Sequence, residues 1–225
     1  MCVVEAKGFA GGICVMWKFG LMCQQMEYNK NLIAIKVSDA FCSWLLVGFY
    51  GPPYLAKKQK AWGNLMVLLE SCQLPWVCIG DFNFTTNDQE ILGGNKGGAR
   101  SSATNYLKEL IFEFGAIDLG YSGKPFTWAR GRWGSSAIKR RLDRGIASIS
   151  WRLAFPKATV SHLGAINSNH APILLNTNPE DSFAHRPFRF EAAWIRNNGC
   201  NSVMEKAWES ISSGTAFSKL YVGAF

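Results

Sequence analysis

Short apolar runs separated by turn residues set the rhythm of the chain. Ile13-Cys14-Val15-Met16-Trp17, after a Gly-rich turn, reads as a buried strand with nothing in front of it. Leu32-Ile33-Ala34-Ile35-Lys36-Val37 and Ser43-Trp44-Leu45-Leu46-Val47-Gly48-Phe49-Tyr50 follow, spaced as a hairpin, with Gly51-Pro52-Pro53 ending the second strand at Tyr50. From Lys57 to Cys72 the period changes. Trp62, Leu65, Met66 and Leu69 fall on one helical face behind lysines. Pro75 then introduces Trp76-Val77-Cys78-Ile79-Gly80-Asp81, a buried strand that Gly80 lets turn as it leaves the sheet.

Past a polar, Gly-rich loop, Tyr106, Leu107, Leu110, Ile111 and Phe114 mark a second helix, with Ser102 or Thr104 expected as its cap. Phe126 to Ala129 is a short strand, and Arg130 to Ser136 is a basic loop returning through a strand at Ile138 to Ser148. Trp151 to Pro156 is a helical turn, and Thr159 to Leu163 and Ala171 to Asn176 are the last strands. Strands and helices in this mixed order predict an α/β sandwich, two packed mixed sheets with helices outside, over residues 1–178. Residues 179–225 read as a polar linker and a peripheral helix with a Ser202/Glu205 capping box.

The 225 residues and 48% apolar content allow one large domain or one domain with an appendage. No run has the length of a membrane span and the start lacks the order of a secretory signal, so a nuclear or cytoplasmic protein, not a secreted one, is expected. The seven cysteines form no Cys-x-x-Cys pair and mostly lie in apolar runs, as small buried hydrophobes. The net charge of +8 permits a polyanionic partner, and its distribution says more. Tyr121 to Val160 holds nine basic residues against Asp143 alone.

Asp81 and Asn83 sit two apart at a strand end and face one spot. The carboxylate can take a proton from water or orient it, and the amide N–H can hold a phosphate oxygen. Tyr50, Asp143 and Asn169-His170 also end or open strands. Brought to one rim, these groups have the parts for phosphodiester hydrolysis: Asp81 to activate water, Asn83, Tyr50 and His170 to donate to non-bridging oxygens, Asp143 to hold the imidazole. Taken singly, each has an ordinary reading, a turn, an edge aromatic, a surface salt bridge or a packed histidine.

Tyr50-Gly51-Pro52-Pro53, Gly80-Asp81-Phe82-Asn83, Phe126-Thr127-Trp128, Arg141-Leu142-Asp143-Arg144 and Ser168-Asn169-His170-Ala171-Pro172-Ile173 occur in the order of the endonuclease/exonuclease/phosphatase superfamily. Over roughly Val3 to Thr177 the chain resembles the apurinic-type endonuclease domain of plant LINE-type retrotransposon polyproteins, and Arg186 to Glu191 resembles the connector toward the reverse transcriptase. The resemblance implies a Mg²⁺-dependent, monomeric DNA endonuclease with Asp81 positioning water, Asn83 and Tyr50 on phosphate, and Asp143 orienting His170. It also implies an asparagine and a metal-binding glutamate ahead of the Gly-Gly strand, which are not found here. Glu5 reads as an ordinary strand residue, and Asn169 stands where the family has an aspartate. These departures leave Asn169 as a weak metal ligand, imply poor Mg²⁺ binding and impaired cleavage, and give the look of an amino-terminally truncated copy.

The loop places Arg130, Arg132, Trp133, Lys139, Arg140 and Arg141 where guanidiniums would meet the phosphates of duplex DNA and a tryptophan could stack or wedge. Two further readings stay open: a catalytically dead remnant that binds nucleic acid, and a phosphoesterase for a small head group.

Overall fold

The computed structural model describes residues 1–6, 12–17, 19–38, 42–94, 104–131, 137–179, 199, 202 and 205. The elements in order are β1 (Cys2–Val4), β2 (Ile13–Val15), β3 (Met22–Asn29), β4 (Leu32–Ser38), β5 (Ser43–Tyr50), α1 (Leu55–Ser71), β6 (Trp76–Asp81), β7 (Ile91–Leu92), α2 (Tyr106–Glu113), β8 (Ile117–Asp118), β9 (Ser122–Gly123), β10 (Trp128–Arg130), β11 (Ile138–Arg140), β12 (Asp143–Ala147), α3 (Ile149–Ala154), β13 (Thr159–His162) and β14 (Ile173–Asn176). Six strands make the main sheet, in the order β3-β4-β5-β6-β12-β8, mostly antiparallel but with β5 and β6 parallel.

Both faces of that sheet are apolar because both are covered. Leu32, Ala34, Leu45, Val47, Phe49, Trp76 and Cys78 meet Trp62, Leu65 and Leu69 of α1 and Leu107 and Leu110 of α2. On the other face Trp44 and Val77 pack with Trp151 of α3 and with Ala158 beside β13. Two glycines let the second layer approach. A Cβ on Gly145 would lie 3.1 Å from Val160 of β13, and one on Gly48 would lie 3.7 Å from Ile13 of β2. The chain is therefore a mixed α/β sandwich of packed sheets.

Trp62, wholly buried, anchors the ring cluster beneath the strand ends, with centroids 5.2 Å from Phe49, 5.9 Å from Phe82, 5.5 Å from Phe84 and 6.1 Å from Tyr106. Truncating it would cost about 3–5 kcal/mol. Because Phe82 is drawn into this cluster, its neighbours Asp81 and Asn83 turn the opposite way.

Several expectations are corrected. A strand does stand in front of Ile13: β1 pairs antiparallel with β2, and Glu5 lies exposed just past it. The edge strand β3 was hidden in the sequence because Met22 to Tyr28 is largely exposed and carries no alternation. Asn105, not Ser102 or Thr104, caps α2, its Oδ1 accepting from the Lys108 N–H at 3.3 Å. The single return strand expected over 138–148 is two, β11 and β12, in different sheets. Of the six described cysteines only Cys78 is buried.

The chain divides into two compact units, Met1–Pro179 and Glu180–Phe225. In the second, Ser202 is helical and its hydroxyl donates back to the Gly199 carbonyl at 3.0 Å rather than capping a helix start. Glu205 is helical and exposed, and the remainder of that expected helix and the Arg186 to Glu191 segment lie outside the described residues. Among the described residues no helix is long and apolar enough to cross a membrane.

Candidate active site

Three neighbouring strands of the main sheet bring their polar ends into one row. In the ladders Tyr50 is opposite Asp81 and Asp81 is opposite Asp143. Directly paired residues point to the same face, so the phenol and both carboxylates share one rim. Gly80 makes the crossing possible. Its φ is +142°, and a Cβ there would overlap the Phe49 carbonyl.

Asn83 follows with φ +51°, in the left-handed region that Asn tolerates. In this turn its backbone N–H donates to Asp81 Oδ1 at 2.9 Å, and its Nδ2 donates to Asp81 Oδ2 at 2.8 Å and to the Gly51 carbonyl at 2.6 Å. Both latter partners only accept, which fixes the amide orientation. Both amide N–H groups are therefore committed. This corrects the expectation that Asn83 donates to phosphate: it grips Asp81 instead.

His170 arrives from a loop tied to β10. Ala129 N–H donates to the Asn169 carbonyl at 2.9 Å, and Ala171 N–H donates to the Thr127 carbonyl at 2.6 Å. The imidazole Nδ1 is 2.9 Å from Asp143 Oδ2, and Nε2 is 3.9 Å from Asp81 Oδ2. Since an ionised carboxylate only accepts, Nδ1 carries the proton. The structure thus brings Tyr50, Asp81, Asn83, Asp143 and His170 together.

Sequence reasoning missed Thr127. Buried, its Oγ1 accepts from the N–H groups of both Leu142 and Asp143 at 3.0 Å, holding the start of β12. Its place in the Phe126-Thr127-Trp128 motif was the signal, but a threonine there gives no role by itself.

The electrostatics follow from this packing. Burial, then the Asp143 charge, raises Asp81 from 3.8 to about 6, against the Asn83 hydrogen bond and the His170 and Lys58 charges. The hydrogen bond to Asp143 raises His170 against the pull of burial, and the charges of Asp143 and Asp81 add to it. Burial and the Asp81 charge raise Tyr50. Asp81 is thus a carboxylate poised to take a proton near neutrality, beside an imidazole whose charged form Asp143 favours.

Arg141 and Arg144, which flank Asp143 in sequence, turn away from it. Arg141 pairs with Glu90 at 2.9 Å and Asp118 at 2.6 Å, and Arg144 pairs with Glu90 at 2.9 Å and Asp118 at 2.8 Å. Both arginines are buried. This corrects the assignment of Arg141 to the DNA surface: its guanidinium is spent on two internal carboxylates. Arg130 and Arg140 are exposed and Lys139 half-buried on the β10–β11 hairpin, whose third strand is β7. Arg132 and Trp133 lie outside the described residues.

The magnesium ion implied by the resemblance can be set against these donors. Among the described residues no three His, Cys, Asp or Glu side chains come together as a set able to hold a metal ion. At the rim the oxygens of Asp81 accept from Asn83 and one of Asp143 lies against His170, while Asn169 is exposed and gives its backbone carbonyl to Ala129. Magnesium demands near-octahedral hard oxygen ligands. This donor set does not fit it.

No protein-family model and no curated protein matches the chain. Among solved structures, the endonuclease domain of TRAS1, a telomere-specific non-LTR retrotransposon, matches with TM-score 0.55 and 16% identity over 73% of this chain and 72% of that one. A 3′ phosphatase from Neisseria bound to a product DNA hairpin matches with TM-score 0.48 and 16% identity, covering 70% of each chain. An endonuclease/exonuclease/phosphatase family protein from Leptotrichia buccalis matches with TM-score 0.44 and 13% identity, over 64% of this chain and 53% of that one. The likeness to the TRAS1 domain assigns the fold, and the chain has the mixed α/β sandwich of that endonuclease.

Proposed function

We propose that the chain is a phosphodiester hydrolase acting on duplex DNA, nicking one strand as a retrotransposon endonuclease would. The observation that carries this is the Asp143–His170 hydrogen bond of 2.9 Å, with Asp81 3.9 Å from the same imidazole. A phosphate seated at that rim meets a general base, Asp81, for the attacking water and a cationic donor, His170 Nε2–H, for the charge that builds on a non-bridging oxygen. Asp143 holds the imidazole so that Nε2 faces the substrate. Asn83 fixes the rotamer of Asp81, leaving Tyr50 as the neutral donor. Arg130, Lys139 and Arg140 on the hairpin would seat the duplex by its backbone without reading bases.

The test is relaxation of supercoiled plasmid by the full chain, with and without added magnesium. Nicking that vanishes in both Asp81→Ala and His170→Ala supports the reading, and nicking that survives in either overturns it. A second reading, a protein that binds duplex DNA without cutting it, is favoured by one observation: both Asp81 oxygens are already engaged by Asn83. Salt-dependent duplex binding with intact plasmid would select it.

A further inference from the structure

The chemistry just described leaves one cation at the rim without a task. Lys58 projects from the first turns of α1, its Nζ donating to the Asn83 carbonyl at 3.0 Å and lying 3.6 Å from the centroid of the Phe84 ring. Asn83 is the residue that grips Asp81, so the ammonium is fixed beside the acidic pair. The ammonium has three N–H groups, and the Asn83 carbonyl takes one. The aromatic face serves its charge without using a donor. Among the described residues nothing else accepts from the other two donors, and a half-buried stem holds them in place.

The surroundings point the same way. Burial lowers the Lys58 pKa, the Asp81 charge raises it, and Arg140 of β11 lowers it. Cations from two elements far apart in sequence therefore feel each other beside Asp81. Asp81 answers part of this positive charge, and the donors that Lys58 keeps are placed to take an oxygen of an anion arriving beside that carboxylate.

We propose that Lys58 is a phosphate-holding residue of this site: its ammonium, anchored on Asn83 and Phe84, binds a non-bridging oxygen of the DNA backbone beside Asp81. The proposal rests on duplex DNA being the substrate. An ammonium there contacts the phosphate directly and gives no base preference.

The experiment is binding of a fluorescently labelled duplex to the full chain by anisotropy, in EDTA so that no divalent ion screens the backbone, between about 50 and 200 mM salt. Lys58→Gln is expected to weaken binding equally for unrelated sequences and to flatten the plot of log affinity against log salt by about 1, with Lys58→Arg restoring the slope. A loss of folding in Lys58→Gln, seen in the melting temperature, moves the reading to Lys58→Met, which keeps the stem against Phe84. If the parent binds with a steep salt dependence and the neutral variant keeps that slope, Lys58 only props the Asn83 turn and the proposal is overturned while DNA binding stands. If the parent shows no salt-dependent binding, the substrate itself is wrong and Lys58 has no phosphate to hold.

Discussion

Two pairs of carboxylates lie around the Arg141 to Arg144 stretch and experience opposite fields. Glu90 and Asp118 are pulled upward by burial, but the hydrogen bonds and charges of Arg144 and Arg141 overcome it and hold both below the ordinary carboxylate range. Asp81 and Asp143, opposite each other across β6 and β12, receive neither arginine, and burial with mutual repulsion lifts Asp81 to about 6. Asp143 sits between the two arginines in sequence and is denied both. The difference teaches that charge count along a segment says little about charge at a site, because side-chain direction distributes it. One pair is neutralised by bonded arginines to hold structure, and the other has only an imidazole and a more distant ammonium to answer it, where a proton can be exchanged.

The largest expected effect comes from breaking the neutralised pair. Glu90→Ala leaves two buried guanidiniums with Asp118 as their one remaining carboxylate and should cost about 3–5 kcal/mol in urea unfolding. At the other pair the loss is chemical. Asp143→Asn should change stability by no more than about 1 kcal/mol, yet lower plasmid nicking by about 10²-fold or more, or about 2.7 kcal/mol of barrier, because His170 loses its orienting charge. Equal stability losses in these two variants would erase the distinction.

The third effect is pH-linked. Asp81 ionises at about 6 in the folded chain against 3.8 as its ordinary value, so folding disfavours its charged form. Its contribution is lost as pH rises from about 4 through 6, and the cost at pH 8 is about 3 kcal/mol. Asp81→Asn should therefore stabilise the chain by about 1–2 kcal/mol at pH 8, after the loss of a hydrogen bond to Asn83, and not at pH 4. Urea unfolding at the two pH values measures it. His170 acts in the same sense, since its raised pKa gives stability at low pH that is lost as pH rises through the folded value. The smallest effect is spectroscopic. The imidazole of His170, titrated by NMR, should move down in Asp143→Asn and stay in place in Glu90→Gln.

These fields also show what the sequence could carry. Tyr50, Asp81, Asp143 and His170 were legible as strand-end polar groups, and the α/β sandwich was legible from the alternation of strand and helix runs. The fate of Arg141 was not. Burial of a guanidinium depends on Glu90 and Asp118, tens of residues away, and no local pattern reports such a partner. The same break at Arg141-Leu142 hid the division of β11 from β12, since the apolar and basic alternation runs through it. Lys58 was masked by Lys57 and Lys60, where a helix start with three lysines reads as a solvated face. The direction of Asn83 was hidden for a different reason: its amide can face out or in, and only the Gly51 carbonyl decides.

The pairing of β6 with β12 has a consequence for folding fidelity. Slipping the ladder by one residue would turn Arg144 toward Asp81 and drive Asp143 inward, toward Glu90 and Asp118. The slipped sheet would pair a cation with the base at the mouth and crowd three carboxylates inside with Arg141 alone to answer them. Such a state is penalised at both faces at once, so the Arg-Leu-Asp-Arg stretch works as a proofreading device that rejects the wrong alignment before any substrate is met.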